Sequence, residues 1–366
     1  MRAHLRTGLV LACTVALLAL FLRQANLGEV WLEIRRADPA GLVGALAMTG
    51  VTYLLRSWRW RAMLRPIGRA RLWTAFRTTV IGFAANALLP ARAGEVLRPY
   101  LLARREGLSA TAAFATIILE RLLDLVTVLL FFGLFVLVAD PQTTAADPVL
   151  FGSVKVGGMV TTAGSVLGLV VVFVLAGHPE RLGTAARRVE RVLPARLAHA
   201  LARAVERFAE GFAVMRRPGP LLEAAVLSFP LWLSIAMGIW FVARAFHITM
   251  SFAGSFLIMA LLTVGVAVPT PGAVGGFHYA FRVGATAFFG APAERAVGAA
   301  IVLHAIAFLP VTLLGLLFMV QDGLDLGRLR RLASDRSLGD EGGGGAGQPA
   351  AGQPGVARHG GGGAGA

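Results

Sequence analysis

The feature that most constrains this chain is a polar run inside a greasy sequence, Asn86-Ala87-Leu88-Leu89-Pro90-Ala91-Arg92-Ala93-Gly94-Glu95-Val96-Leu97-Arg98. It follows the mostly apolar stretch 76–85 and puts an Asn, a helix-breaking Pro, a Gly and three ionisable groups where a membrane-spanning helix would continue. Ionisable groups at membrane depth are costly unless they pair or line a wet cavity, so they mark a functional site by default. The other helices are expected to build a protected chamber around this run.

With 56% hydrophobic and 15% charged residues, the chain is too apolar for an ordinary soluble domain. The expected fold class is all-α, a polytopic integral membrane helix bundle. The net charge of +15 does not indicate a nucleic-acid binder, because the basic residues sit in loops between apolar runs, as the positive-inside rule describes. Cys13 is the only cysteine, which excludes a disulfide framework and a cysteine-based metal site.

The first apolar run, 7–22, reads as a signal anchor, with Arg23 directly behind it and no small-x-small cleavage site. Pro39 opens a second span ending near Leu55. The loop that follows carries Arg56, Arg59, Arg61, Arg65, Arg69 and Arg71 with no acid. It reads as cytoplasmic topology and snorkelling, with Trp58, Trp60 and Trp73 as interfacial anchors, or as an anionic headgroup site. The stretch 72–89 is apolar enough to enter the bilayer, but both its flanks are basic. A re-entrant hairpin that dips in and returns is the economical solution, allowed where non-helical backbone is buried in protein or lines a cavity.

Span 112–138 is interrupted by Glu120, Arg121 and Asp124. Glu120 and Asp124 share a helix face, and Arg121 lies three from Asp124. Two readings stand: a buried salt bridge that fixes packing, or carboxylates that meet the arginines of the central run. Further spans are expected at 156–176, 221–246 and 296–320, with an amphipathic cytoplasmic segment over 178–217. Segment 252–290 breaks at Pro269-Thr270-Pro271-Gly272-Ala273-Val274-Gly275-Gly276-Phe277-His278, and a short helix, 279–290, follows. Parity of the loop charges gives about six full spans and two broken re-entrant hairpins of opposite orientation, a transporter-like plan; full crossings through 252–290 fit the same parity. The membrane domain covers 1–332, and 333–366 is a disordered Gly-rich tail.

Three motifs in order, Asn86-x-Leu88-Leu89-Pro90-x-Arg92-x-Gly94-Glu95-x-x-Arg98, Glu120-Arg121-x-x-Asp124 and Pro269-x-Pro271-Gly272-x-x-Gly275, resemble the membrane domain of lysylphosphatidylglycerol synthase/flippase proteins. Arg56-x-x-Arg59-Trp60 fits the same pattern, and the resemblance covers nearly all of 5–325. It implies a multi-pass protein of the cell membrane, moving an aminoacylated phospholipid or serving a polyprenyl-phosphate pathway; the loop charges place both termini in the cytoplasm. The soluble aminoacyl-transferase domain of the synthases has no counterpart here, so the expectation is a transporter and not an enzyme, with no cofactor and no bound metal. Ala273 stands where members carry a second Gly, and His278 where they carry an acid. An imidazole there weakens recognition of a cationic headgroup.

The expected partners are membrane lipids with anionic headgroups, with a homo-oligomer and a lipid-modifying enzyme as protein partners the resemblance admits. Arg92 and Arg98, six apart, would both face one cavity if the backbone after Pro90 is helical and would there hold a lipid phosphate in bidentate fashion, with Glu95 between them to position or compete and Asn86 supplying neutral hydrogen bonds. Glu120, Arg121 and Asp124 would complete the network. Gly272 and Gly275 allow close backbone approach, and the helix start after Gly276 is an anion-binding candidate. His278 reads as a titrating group or a satisfied buried histidine, with Arg282 one turn later. The rival classes are a membrane enzyme using Glu95, Glu120 and Asp124 as metal ligands or base, and a helical accessory subunit. The close arginines favour salt bridges over a cation site.

Overall fold

A computed structural model of the chain describes residues 25–89, 92–138, 218–267 and 270–323, with short pieces of 15–22 and 149–164. Most of the first apolar run and of the expected span 156–176, the segment 178–217, the tail 333–366, and both Pro90 and Pro269 lie outside these residues. All regular structure described is helical: α1 (Leu27–Arg36), α2 (Pro39–Leu64), α3 (Leu72–Leu88), α4 (Ala93–Glu106), α5 (Ala110–Val138), α6 (Pro218–Ala245), α7 (Gly254–Ala267), α8 (Gly276–Phe289) and α9 (Ala293–Gln321).

Four of these, α2, α5, α6 and α9, are long and apolar enough to cross a membrane. The chain is thus a multi-pass helical membrane protein. The helix starts follow local chemistry. Asn26 caps α1 through the amides of Gly28 and Glu29, and Asp38 caps α2, with Pro39 occupying the first turn, where a missing amide costs nothing.

Four of the remaining helices pair as two hairpins. In the first, α3 packs against α4; in the second, α7 packs against α8. The same device closes both. Gly82 on α3 meets Gly94 on α4, and Gly265 on α7 meets Gly276 on α8; a β-carbon on Gly94 would run into the Gly82 carbonyl, and one on Gly276 into that of Gly265. Lipid offers little hydrophobic drive between helices, so such close backbone packing holds them together. Helix α9 lies along both hairpins. Just beyond its end, Asp322 pairs with Arg77 of α3 at 2.7 Å and with Arg105 of α4. The tips also meet each other: Arg92 donates to the Val266 carbonyl at 2.6 Å, and the single turn Pro271–Ala273 packs on α3.

Two sequence expectations are corrected. The stretch from Arg56 to Leu64 is no loop, because α2 runs unbroken to Leu64. Arg56 and Arg59 do not snorkel; both are buried, and Trp60 is fully buried instead of anchoring at the interface. The acids that neutralise these arginines lie on α5, out of reach of any local charge count. The second hairpin's return helix begins at Gly276, not Tyr279.

Candidate functional site

Arg56 and Arg59 lie three apart on α2, and Glu120 and Asp124 four apart on α5, so each pair occupies one helix face. The packed helices bring the faces together. Arg56 reaches Glu120 at 3.3 Å and Asp124 at 3.7 Å, and Arg59 reaches Asp124 at 2.7 Å and Glu120 at 3.6 Å. From the first hairpin, Arg98 of α4 donates to Glu120 at 3.0 Å while its guanidinium lies 3.9 Å above the Trp60 ring. Helix α6 adds Ser228, which accepts from Arg59 at 2.9 Å, and Trp232, whose indole donates to Asp124 at 2.9 Å. Trp60 is held in turn by Thr116, which accepts its indole N–H at 3.0 Å.

One edge of this buried network is open. Arg121 is 42% exposed; it contacts Asp124 at 3.4 Å and Glu120 at 3.7 Å, and reaches Glu95 at 3.8 Å. Glu95 in turn faces Arg92, 43% exposed, at 4.0 Å. Among the described residues, five guanidinium groups (Arg56, Arg59, Arg92, Arg98, Arg121) thus surround three carboxylates (Glu95, Glu120, Asp124), a surplus of two positive charges. Arg98 Nε and Nη2 and Arg56 Nε are buried with no hydrogen-bond acceptor. Unsatisfied buried donors on charged groups are expensive, and a surplus of them suits an anion with several oxygens.

Of the residues singled out from sequence, Glu95, Arg98, Glu120, Arg121 and Asp124 converge in this network, with Arg92 at its rim. Arg92 and Arg98 do not face one cavity side by side. Arg92 is the N-cap of α4 in the left-handed conformation, with φ of 53°, which turns its side chain toward the second hairpin. Nor does Glu95 bridge the two arginines; it faces Arg92 and Arg121, and Arg98 belongs to Glu120. Asn86 lies beside Gly94, its buried Oδ1 without a partner.

Gly272, Gly275, His278 and Arg282 form a separate group around the second tip. The Gly272 carbonyl accepts from His304 Nε2 at 2.8 Å. His278 is 7% exposed and its Nδ1 accepts from the Gly275 amide at 3.4 Å. The amide end of α8 is therefore capped from within. Arg282 donates to the Phe21 carbonyl. Sequence reasoning left Arg56 and Arg59 open between membrane topology and a headgroup site, and missed Ser228, Trp232 and His304. The matched spacings of Arg56 with Arg59 and of Glu120 with Asp124 are the signal that pairs the first two.

The family model described as lysylphosphatidylglycerol synthase TM region matches residues 7–315. Among curated proteins, Glycosyltransferase AglD of Haloferax volcanii is 27% identical over 83% of this chain and 52% of its own length. A UPF0104 membrane protein of Methanothermobacter thermautotrophicus is 32% identical over 33% of this chain and 36% of its own. The chain thus spans about half the length of the first relative and aligns with about a third of the second.

Proposed function

This chain belongs to the lysylphosphatidylglycerol synthase transmembrane-region family, and from that premise we propose that it is a lipid transporter. It binds the phosphate of a phospholipid or polyprenyl-phosphate lipid at the arginine and carboxylate network and moves the lipid between leaflets. The observation that carries this reading is the surplus of two positive charges with an exposed edge at Arg92 and Arg121. Guanidinium groups bind phosphate oxygens in a bidentate way, and the half-exposed pair is placed to receive a headgroup that the buried part then holds.

In this reading α3 with α4, and α7 with α8, are re-entrant hairpins whose tips meet at the site. The protein sits in the cell membrane with its termini on the cytoplasmic side, where Arg65, Arg69, Arg71, Arg104 and Arg105 gather. Arg98, Glu120 and Asp124 hold the site's shape, and Arg121, Arg92 and Glu95 exchange partners as a headgroup enters.

The test is lipid translocation in proteoliposomes, with phosphate-bearing lipids of several headgroups and an uncharged glycolipid. Movement of at least one phosphate-bearing class but not the glycolipid, reduced about tenfold or more by Arg121→Ala, is the expected result. No movement of any lipid by folded protein would end the transporter reading.

The match to a protein named as a glycosyltransferase favours one second reading, a membrane part of a lipid-linked glycosyl transfer pathway. Product formed from a lipid-phosphate sugar and an acceptor, without translocation, would select it.

A further inference from the structure

The second hairpin tip is pinned on both sides by histidine. On one side His304 of α9 donates from Nε2 to the Gly272 carbonyl at 2.8 Å. On the other, Nδ1 of His278 accepts from the Gly275 amide. A carbonyl only accepts and an amide only donates, so Nδ1 of His278 carries no proton while this arrangement lasts. The two rings are 4.5 Å apart between centroids and are enclosed by Phe21, Phe277 and Phe308.

We infer that the His278 and His304 pair is a proton-binding site, and that a proton taken up on Nδ1 of His278 releases the Gly275 side of the tip, coupling lipid movement to a proton. The inference rests on the transport reading above. A proton entering from water on one side replaces the amide as the partner of Nδ1, so the Gly275 N–H loses its acceptor. The same proton leaves to the other side when the tip closes again.

The surroundings make this pair the place where charge is decided. Helix α7 and the described part of 15–22 contribute no titratable group. Helix α8 contributes Tyr279 and Arg282, the latter bonded to the Phe21 carbonyl. Helix α9 contributes His304 and, ten and nine residues earlier in its first turn, Glu294 and Arg295. No carboxylate among the described residues of these elements lies within two turns of His278 to fix a positive charge there. Two imidazoles this close and this enclosed do not both carry charge, so the pair takes up at most one proton beyond its neutral state. Movement at this tip reaches the lipid site directly, because the turn at Gly272 packs on α3 and Arg92 bonds the carbonyl of Val266, at the end of α7.

The test is leaflet asymmetry of a labelled phosphate-bearing lipid in proteoliposomes, at equal pH and with a one-unit pH difference imposed in each direction. At equal pH the intact protein brings the leaflets to equal occupancy. With one proton moved per lipid, a one-unit difference sustains about a tenfold asymmetry. His278→Asn keeps an acceptor where Nδ1 stands, and His304→Gln keeps the donor to Gly272, but neither amide takes up a proton. Both are expected to lose the asymmetry while still exchanging lipid at equal pH. The inference is overturned if the intact protein moves lipid but shows no asymmetry in either direction, if both variants keep the asymmetry, or if folded variants no longer exchange lipid at equal pH. Absence of any lipid movement by the intact protein would instead fail the transport reading and take the proton with it.

Discussion

Arg98 and Glu120 meet across 3.0 Å with neither side chain reaching solvent. This pair joins the first hairpin to the long helix α5, and Glu120 also takes Arg56 and Arg59 from α2 and Arg121 from its own helix. Glu120 is therefore the hub through which three helices share one charge balance. Its remaining oxygen, Oε2, is buried without a hydrogen-bond partner, which leaves room at the hub for a further donor.

Removing the hub's charge takes from Arg98 the carboxylate it pairs with and leaves Arg56 and Arg59 to Asp124 alone. Glu120→Gln is expected to cost about 3–5 kcal/mol, the penalty for stranding buried charge. Glu95→Gln, at a side chain 29% exposed, is expected to cost less than about 1 kcal/mol. Thermal unfolding of both variants in detergent checks the order, and equal effects would contradict the assignment of Glu120 as hub.

Arg98→Lys keeps the charge but loses the flat face that lies over Trp60. It is expected to lower stability by about 1–2 kcal/mol, and to weaken lipid movement further, because an ammonium cannot offer two parallel donors to a phosphate. Denaturation and translocation measured on the same preparation separate the two effects.

The glycine contact inside the first hairpin makes a sharper prediction. A β-carbon at Gly94 would collide with the Gly82 carbonyl, whereas one at Gly133 of α5 meets nothing within 4 Å. Gly94→Ala is expected to cost about 3 kcal/mol or more and to lower the yield of monodisperse protein. Gly133→Ala, with nothing for the added methyl to meet, is expected to be neutral or slightly stabilising.

Ala273 occupies the left-handed region, with φ of 58°, at the turn next to Gly272. A β-carbon is strained in that conformation. Ala273→Gly is expected to stabilise the protein by about 1 kcal/mol, read as a rise in the unfolding midpoint. A fall would mean that the alanine methyl makes packing contacts worth more than the strain.

The helix breaks were legible because Pro and Gly interrupt otherwise apolar runs, and the meeting of Arg98 with Glu120 was one of the two readings that the charges in span 112–138 left open. The pairing of Arg56 and Arg59 was not legible, since six arginines after a span are also what membrane topology alone produces. Only their matched spacing with Glu120 and Asp124 distinguishes a buried partnership from a cytoplasmic loop. Arg92 was misplaced for a different reason. Counting six residues from Arg92 to Arg98 assumes continuous helix, and the left-handed cap at Arg92 redirects its side chain. His304 is a lone histidine in an apolar span, and its partner, the Gly272 carbonyl, is a backbone atom that leaves no trace in residue identity.

The central claim is that the network binds a lipid phosphate, and equilibrium binding in detergent tests it most directly. Phosphatidylglycerol and diacylglycerol with the same acyl chains would be compared on the intact protein and on Arg121→Ala. The account predicts tighter binding of phosphatidylglycerol, weakened about tenfold by the substitution, and no effect of the substitution on diacylglycerol. Equal affinity for the two lipids, or equal loss of both in Arg121→Ala, would contradict it.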